Sequence, residues 1–133
     1  MLLAAGTGIT PMLQIAASSL RNASNQSHIT LLSFSSNDQD VCLYRDLVEL
    51  QAQNLSFFTL KLFASQLPAA NAREGVICGS IRTLTAQQLL QHAAVPNLDT
   101  AAFCMCGPSG WMEATQQLLE KSGVSASRIL AWA

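Results

Sequence analysis

The run Ala5-Gly6-Thr7-Gly8-Ile9-Thr10-Pro11 has the residue types needed to hold an anion on backbone N–H groups. Glycine at 6 and 8 permits positive φ and removes Cβ atoms that would keep a ligand off the main chain. Thr10 is suited to cap a helix and Pro11 to be its first residue. The free N–H groups of that helix start would then face the loop, where a phosphate could bind. The spacing is not G-x-G-x-x-G, because Pro11 stands where the third glycine would be. Two readings follow from the residues: a cradle for a phosphate-bearing cofactor, or a tight strand-to-helix turn that binds nothing.

A second turn of this kind lies near the other end. Ala102 to Cys106 is a short apolar run, broken by Gly107-Pro108-Ser109-Gly110 and followed by a helical pattern from Trp111 to Lys121. Ser109 or Gly110 can cap that helix. Two glycine turns that each end a buried strand and open a helix suit a ligand crevice at the carboxyl ends of a parallel sheet. Metal chemistry has little support. The four cysteines, Cys42, Cys78, Cys104 and Cys106, form no C-x-x-C, and His28 and His92 stand alone. Cys104 and Cys106 would point to one side of a strand, which does not favour a bond between them. Reduced, buried thiols in a cytosolic setting are expected.

Elements must position these turns. The apolar run Met1-Leu2-Leu3-Ala4 reads as a strand and Met12 to Leu20 as an amphipathic helix. Ile29 to Phe34 is a second strand. Leu43, Leu47 and Leu50 recur at helical spacing, with Asp40 as cap. Phe57 to Phe63 is a third strand, and Ala64 to Leu84, with Pro68, Gly75 and Gly79, is irregular. Thr85-Ala86-Gln87-Gln88 is a capping-box pattern opening a helix to about Ala93. After the Cys106 strand and its helix, Gly123 takes the C′ position, and Arg128 to Trp132 is a last short strand. Five strands alternate with four helices. The expected fold is a doubly wound, Rossmann-like parallel α/β sheet in the order 3-2-1-4-5, with Gly6 and Gly107 side by side at its carboxyl edge.

The 133 residues suffice for one domain with a proper core. Half are apolar and only 11% are charged, so some surface is expected to be covered by another part of a protein. A formal net charge of -1 gives no electrostatic case for nucleic acid or an anionic membrane. No apolar run approaches the ~20 residues of a membrane span, and no secretory signal is visible.

A-G-T-G-I-T-P at the first turn and C-G-P at the fourth strand resemble the pyridine-nucleotide domain of the ferredoxin–NADP reductase superfamily, and within it the cytochrome b5 reductases, fused cytochrome b5/b5 reductase proteins included. The segment from Asp40 to Leu50 resembles the second helix of that group. The resemblance covers almost the whole chain. It implies that NADH or NADPH gives its hydride to FAD, which passes electrons singly to a haem partner such as cytochrome b5 or to an iron–sulfur partner. It implies that Gly6, Thr7, Gly8 and Thr10, with Pro11, hold the pyrophosphate and the nicotinamide end. Cys106 would orient the nicotinamide at the hydride-transfer position, without redox cycling, and Gly107 and Pro108 would shape the wall. A nitrate reductase, an oxygenase reductase, a NADPH oxidase or a non-catalytic nucleotide-binding module would share the same domain.

In the family an antiparallel barrel with an R-x-Y-[ST] motif for FAD precedes this domain. Here Arg82-Thr83-Leu84-Thr85 is only a poor echo of it. Residues 1–133 are therefore expected to be the NAD(P)H-binding domain alone, inactive by itself, with the barrel upstream. The expected location is cytoplasmic, at the cytosolic face of the endoplasmic reticulum where parts outside this chain supply an anchor. Trp132 could cover the flavin or anchor the last strand. Met12 should face the crevice or the barrel, and Tyr44 and Trp111 should be packing residues, as Arg45 should be a solvated helix residue. Phe63-Ala64-Ser65-Gln66 offers no acid for a ribose hydroxyl, Asp38 being the nearest candidate, and no basic cluster awaits a 2′-phosphate. Weak discrimination, with NADPH tolerated, is expected.

Overall fold

The structure is a computed structural model and describes residues 1–22, 24 and 27–132. In chain order the elements are β1 (Leu2–Ala5), α1 (Ile9–Arg21), β2 (Ile29–Asn37), α2 (Tyr44–Gln53), β3 (Phe58–Gln66), β4 (Val76–Cys78), α3 (Ala86–Ala93), β5 (Phe103–Cys106), α4 (Ser109–Lys121) and β6 (Ile129–Trp132). All strand pairs are parallel, in the order β4-β3-β2-β1-β5-β6. The five expected strands stand in the expected order. Among the described residues the sheet has six, because Val76–Cys78 pairs with Leu62–Ala64 at the edge. The strict alternation of strand and helix fails there, since no helix lies between β3 and β4.

The sheet is buried on both faces, which is why its central strands are continuous apolar runs. Leu2, Ala4, Leu31 and Leu62 pack with Ile9, Met12, Ala16 and Leu47 of α1 and α2. Leu3, Ala5, Leu32, Phe34, Phe63, Phe103 and Met105 pack on the other side with Leu89 and Leu119 of α3 and α4. Met12 is fully buried in the first cluster and so faces neither crevice nor solvent, contrary to expectation. Cys104 and Cys106 share the α1 face, as the strand period requires.

Helix ends divide the expectations. The α3 capping box is complete: Gln88 N–H donates to Thr85 Oγ1 at 3.1 Å and Thr85 N–H to Gln88 Oε1 at 2.9 Å. Gly123 follows α4 at φ 92, and Val124 N–H reaches back to Leu119 O. Thr10 is not a cap. Residues Gly6–Gly8 form a 3-10 turn that runs into α1 at Ile9, so Thr10 lies inside the first turn and Pro11 is the third helical residue. That position costs no hydrogen bond, because the first N–H groups of a helix have no partner within it. Asp40 does not cap α2 either. It closes a separate 3-10 turn held by Asn37, and α2 starts after Leu43 at φ 58. Ser109 is the first residue of α4, with Pro108 in the cap position.

Candidate functional site

The two glycine turns meet because β1 and β5 are neighbours, with Ala4 opposite Cys106. Their contact is close. A Cβ added at Gly8 would lie 2.1 Å from the Cys106 carbonyl oxygen and 2.9 Å from the Gly107 nitrogen. Gly8 is thus needed for one turn to seat on the other. Its φ is −60, so the expectation of positive φ at both glycines holds only for Gly6, at φ 56. Gly6 has nothing within 4 Å of where a Cβ would stand, which leaves its backbone open to a ligand. At Gly107 a Cβ would lie 2.8 Å from the Trp111 ring, so the missing side chain lets that ring lie across the turn.

A crevice of about 540 Å³ opens beside this seam, within the usual range for small-molecule sites. Its walls come from the carboxyl ends of successive strands: Ala5 at the end of β1 and Gly6 after it, Phe34 to Ser36 and Asp40 with β2, Ser65 in β3, Ser80 to Arg82 after β4, and Pro108 and Trp111 after β5. Phe34 and Trp111 give the crevice an aromatic floor, backed by the buried Phe63. Trp111 tilts at 52° against Phe34 at 5.7 Å, and Phe34 stacks on Phe63 at 4.9 Å. Trp111 Nε1 is buried and has no hydrogen-bond partner among the described residues. A buried donor left in this state costs about 1–3 kcal/mol. Trp111 packs against the core, as expected, while its side chain also borders the crevice.

Of the expected binding residues, Gly6 and Pro108 line the crevice, with Gly8 and Gly107 closing the seam behind them. Thr7 and Thr10 are exposed and Pro11 half-buried, at the start of α1. Cys106 is half-buried on the opposite face of the sheet from the aromatic floor, between Ala4 and Trp132 in the strand register. Asp38 is not in the crevice. It is 2% exposed, and its Oδ2 accepts the Arg73 N–H at 2.7 Å and the Gln39 amide at 3.2 Å. Asp40, two residues on, is the carboxylate that lines the crevice, with Oδ2 accepting from Asn37 Nδ2 at 2.7 Å. Tyr44 packs as expected: its hydroxyl donates to Glu74 O and its ring lies 4.8 Å under Arg73. Trp132 is an exposed residue of the edge strand β6.

Most wall residues, Phe34, Ser35, Ser36, Asp40, Ser65, Ser80, Ile81, Arg82 and Trp111, were not legible as site residues. Those at 80 and 82 follow a three-residue strand that lacks a periodic pattern of its own.

A doubly wound parallel sheet with a crevice at its carboxyl edge and two glycine turns packed in that edge defines a nucleotide-binding α/β domain. Residues 2–117 match the oxidoreductase NAD-binding domain, and the chain belongs to that family. It is 28% identical over 131 residues to NADH-cytochrome b5 reductase 1 of Dictyostelium discoideum, covering 98% of this chain and 43% of that protein. It is 30% identical over 125 residues to NADH-cytochrome b5 reductase 1 of Bos taurus, covering 93% and 39%. Its fold matches the cytochrome b5 reductase domain of Ulva prolifera nitrate reductase with a TM-score of 0.83 at 21% identity, over 98% of this chain and 47% of that one. The chain spans less than half the length of each of these. Among the described residues no helix is long and apolar enough to cross a membrane.

Proposed function

We propose that residues 1–133 form the NAD(P)H-binding domain of an FAD-dependent reductase that delivers electrons singly to a haem acceptor such as cytochrome b5. The observation that carries this reading is the seam of Gly6, Gly8 and Gly107 at the carboxyl edge, in a member of the oxidoreductase NAD-binding family. The residues present fit a dinucleotide. Gly6 leaves its backbone open, Phe34 and Trp111 give an aromatic surface, and serine residues line the walls. When bound, NADH or NADPH supplies a hydride and FAD accepts it, the flavin being held mainly by a barrel outside this chain.

The chain's own part is to bind, orient and exclude water. N–H groups of the Gly6–Gly8 turn and the start of α1, with Thr7, Thr10 and Pro11 around them, hold the pyrophosphate. Gly107 and Pro108 shape the wall, and Cys106 orients the nicotinamide. Since Cys106 and the aromatic floor lie on opposite faces of the sheet, the dinucleotide crosses the sheet edge over the seam. Asp38 acts from behind, by fixing the Arg73 backbone beyond β3. A cytoplasmic location, at the cytosolic face of the endoplasmic reticulum where an anchor outside this chain provides it, accompanies this reading.

Isothermal calorimetry and a visible spectrum test the proposal. The purified chain should bind NADH or NADPH weakly and show no flavin absorbance. Stoichiometric FAD would overturn the division of labour, and failure to bind either nucleotide would overturn the reading itself.

A further inference from the structure

The far wall of the crevice, on the side away from the seam, is Ser65 near the end of β3 and Ser80 to Arg82 after β4. Between them the chain runs outward through residues 67–75, of which 68–72 are exposed. The hydrogen bonds that tie this connection to its neighbours are made at Arg73 and Glu74. Arg73 N–H donates to Asp38 Oδ2 at 2.7 Å, and Arg73 Nη1 to Val41 O at 3.4 Å. The guanidinium lies over the Tyr44 ring, and the Tyr44 hydroxyl donates to Glu74 O at 2.9 Å. These contacts clasp the β3–β4 connection to the turn between β2 and α2.

The turn held by the clasp is also the one that presents the crevice carboxylate. Asn37 Oδ1 accepts from Gln39 N–H and Asp40 N–H at 3.0 and 3.1 Å, and Asn37 Nδ2 donates to Asp40 Oδ2, so Asp38 and Asp40 belong to one closed turn. Asp40 lines the crevice, while Asp38 is buried behind it. A buried carboxylate is tolerated only with its hydrogen bonds made, here by Arg73 N–H and the Gln39 amide. Leu43, the residue before α2, holds φ 58, a conformation that leucine keeps only where its surroundings fix it. On the other side, the three residues of β4 are the short link through which the connection reaches Ser80 to Arg82. Release of the clasp would therefore free Asp40 and the far wall together.

We infer that Asp38, Arg73 and Tyr44 are positioning residues of the crevice: their clasp sets the spacing between Asp40 and the far wall, so that clasp and bound nucleotide tighten each other. The inference rests on the dinucleotide reading above. Linkage makes it testable in both directions, because a clasp that raises affinity by some factor is itself closed by the nucleotide by the same factor. Calorimetric titration of the chain with NADH and NADPH reads one direction. Hydrogen exchange at the Arg73 amide, followed by NMR, reads the other. Asp38→Ala removes the acceptor of that amide and should weaken nucleotide binding about fivefold or more, whereas Asp38→Asn keeps an acceptor and should stay within about twofold. Tyr44→Phe keeps the ring beneath the guanidinium, loses only the bond to Glu74 O, and serves also where Asp38→Ala does not fold; it should speed Arg73 exchange and weaken binding measurably. In the unaltered chain, saturating nucleotide should slow Arg73 exchange about fivefold or more and leave the Val124 amide, beyond the other end of α4, little changed. Unchanged affinity in Tyr44→Phe, or Arg73 exchange that ignores the nucleotide, would overturn this inference alone. Failure of the unaltered chain to bind either nucleotide would overturn it together with the reading beneath it.

Discussion

The two ends of the crevice are built on opposite principles. At the seam, backbone packs on backbone: the Gly8 Cα faces the Cys106 carbonyl with no room for a methyl group, and what is offered to a ligand is main-chain N–H. At the far wall the backbone is set by a turn and a buried isoleucine, and what is offered is side chains, the Ser65 and Ser80 hydroxyls and the Arg82 guanidinium. A seam of this kind tolerates almost no change, because its neighbours cannot move aside. A wall of exposed side chains can be altered without disturbing the fold. In the proposed reading the pyrophosphate of a dinucleotide falls to the rigid end, where main-chain groups and not replaceable side chains meet it.

The sharpest test of that contrast is Gly8→Ala. A methyl group 2.1 Å from a carbonyl oxygen forces the β1 and β5 turns apart. Overpacking usually costs about 1–3 kcal/mol, and a backbone neighbour places this case at or above the upper end. Gly6→Ala is the control, with open space around the new Cβ and only the penalty of positive φ, about 1–2 kcal/mol. Urea unfolding should rank Gly8→Ala well below Gly6→Ala. A Gly8→Ala variant as stable as Gly6→Ala would show that the seam is not close-packed.

Next in size is Cys106→Ser in the protein with its flavin-binding part. A residue that touches the reacting ring governs alignment, and small misplacement can slow transfer on the order of 100-fold. Burial of a hydroxyl in place of the thiol would cost about 1–3 kcal/mol of stability whatever the role. Cys104→Ser, two residues back on the same face, separates the two effects. Stopped-flow flavin reduction should slow strongly for Cys106→Ser and little for Cys104→Ser. Equal rates for Cys106→Ser and the unaltered protein would return Cys106 to the core.

How much of this was legible follows the same divide. The seam is written in neighbouring residues: an apolar run, glycines at fixed offsets, then an amphipathic helix. The five main strands and their order could therefore be read, as could the capping box at Thr85 and the C′ glycine at 123. The far wall is written in distant residues. Val76–Cys78 is a strand only because β3 offers it an edge, and three residues are too few to show a period. Asp38 and Asp40 could not be ranked from sequence, because which one faces the crevice depends on the Asn37 turn and on Arg73, far along the chain. That Trp111, read correctly as packing, also borders the cavity could not be seen, because nothing local reveals that Gly107 lets its ring lie across the turn. The cap at Thr10 failed for a local reason: the 3-10 turn of Gly6–Gly8 starts the helix early.

The smallest expected effect concerns the element behind the far wall. Thr85 caps α3 directly after the turn that carries Arg82, and its hydroxyl and the Gln88 side chain satisfy two N–H groups reciprocally. Thr85→Ala removes one of these bonds and should cost about 1 kcal/mol of stability. The Ser80–Thr83 turn closes through its own hydrogen bonds, and Ile81 anchors it independently of the cap. The affinity for NADH or NADPH should consequently stay within about twofold while the urea midpoint falls. If instead Thr85→Ala weakens nucleotide binding severalfold, the wall is positioned by the helix start, and the two ends of the crevice differ less in construction than the turn geometry implies.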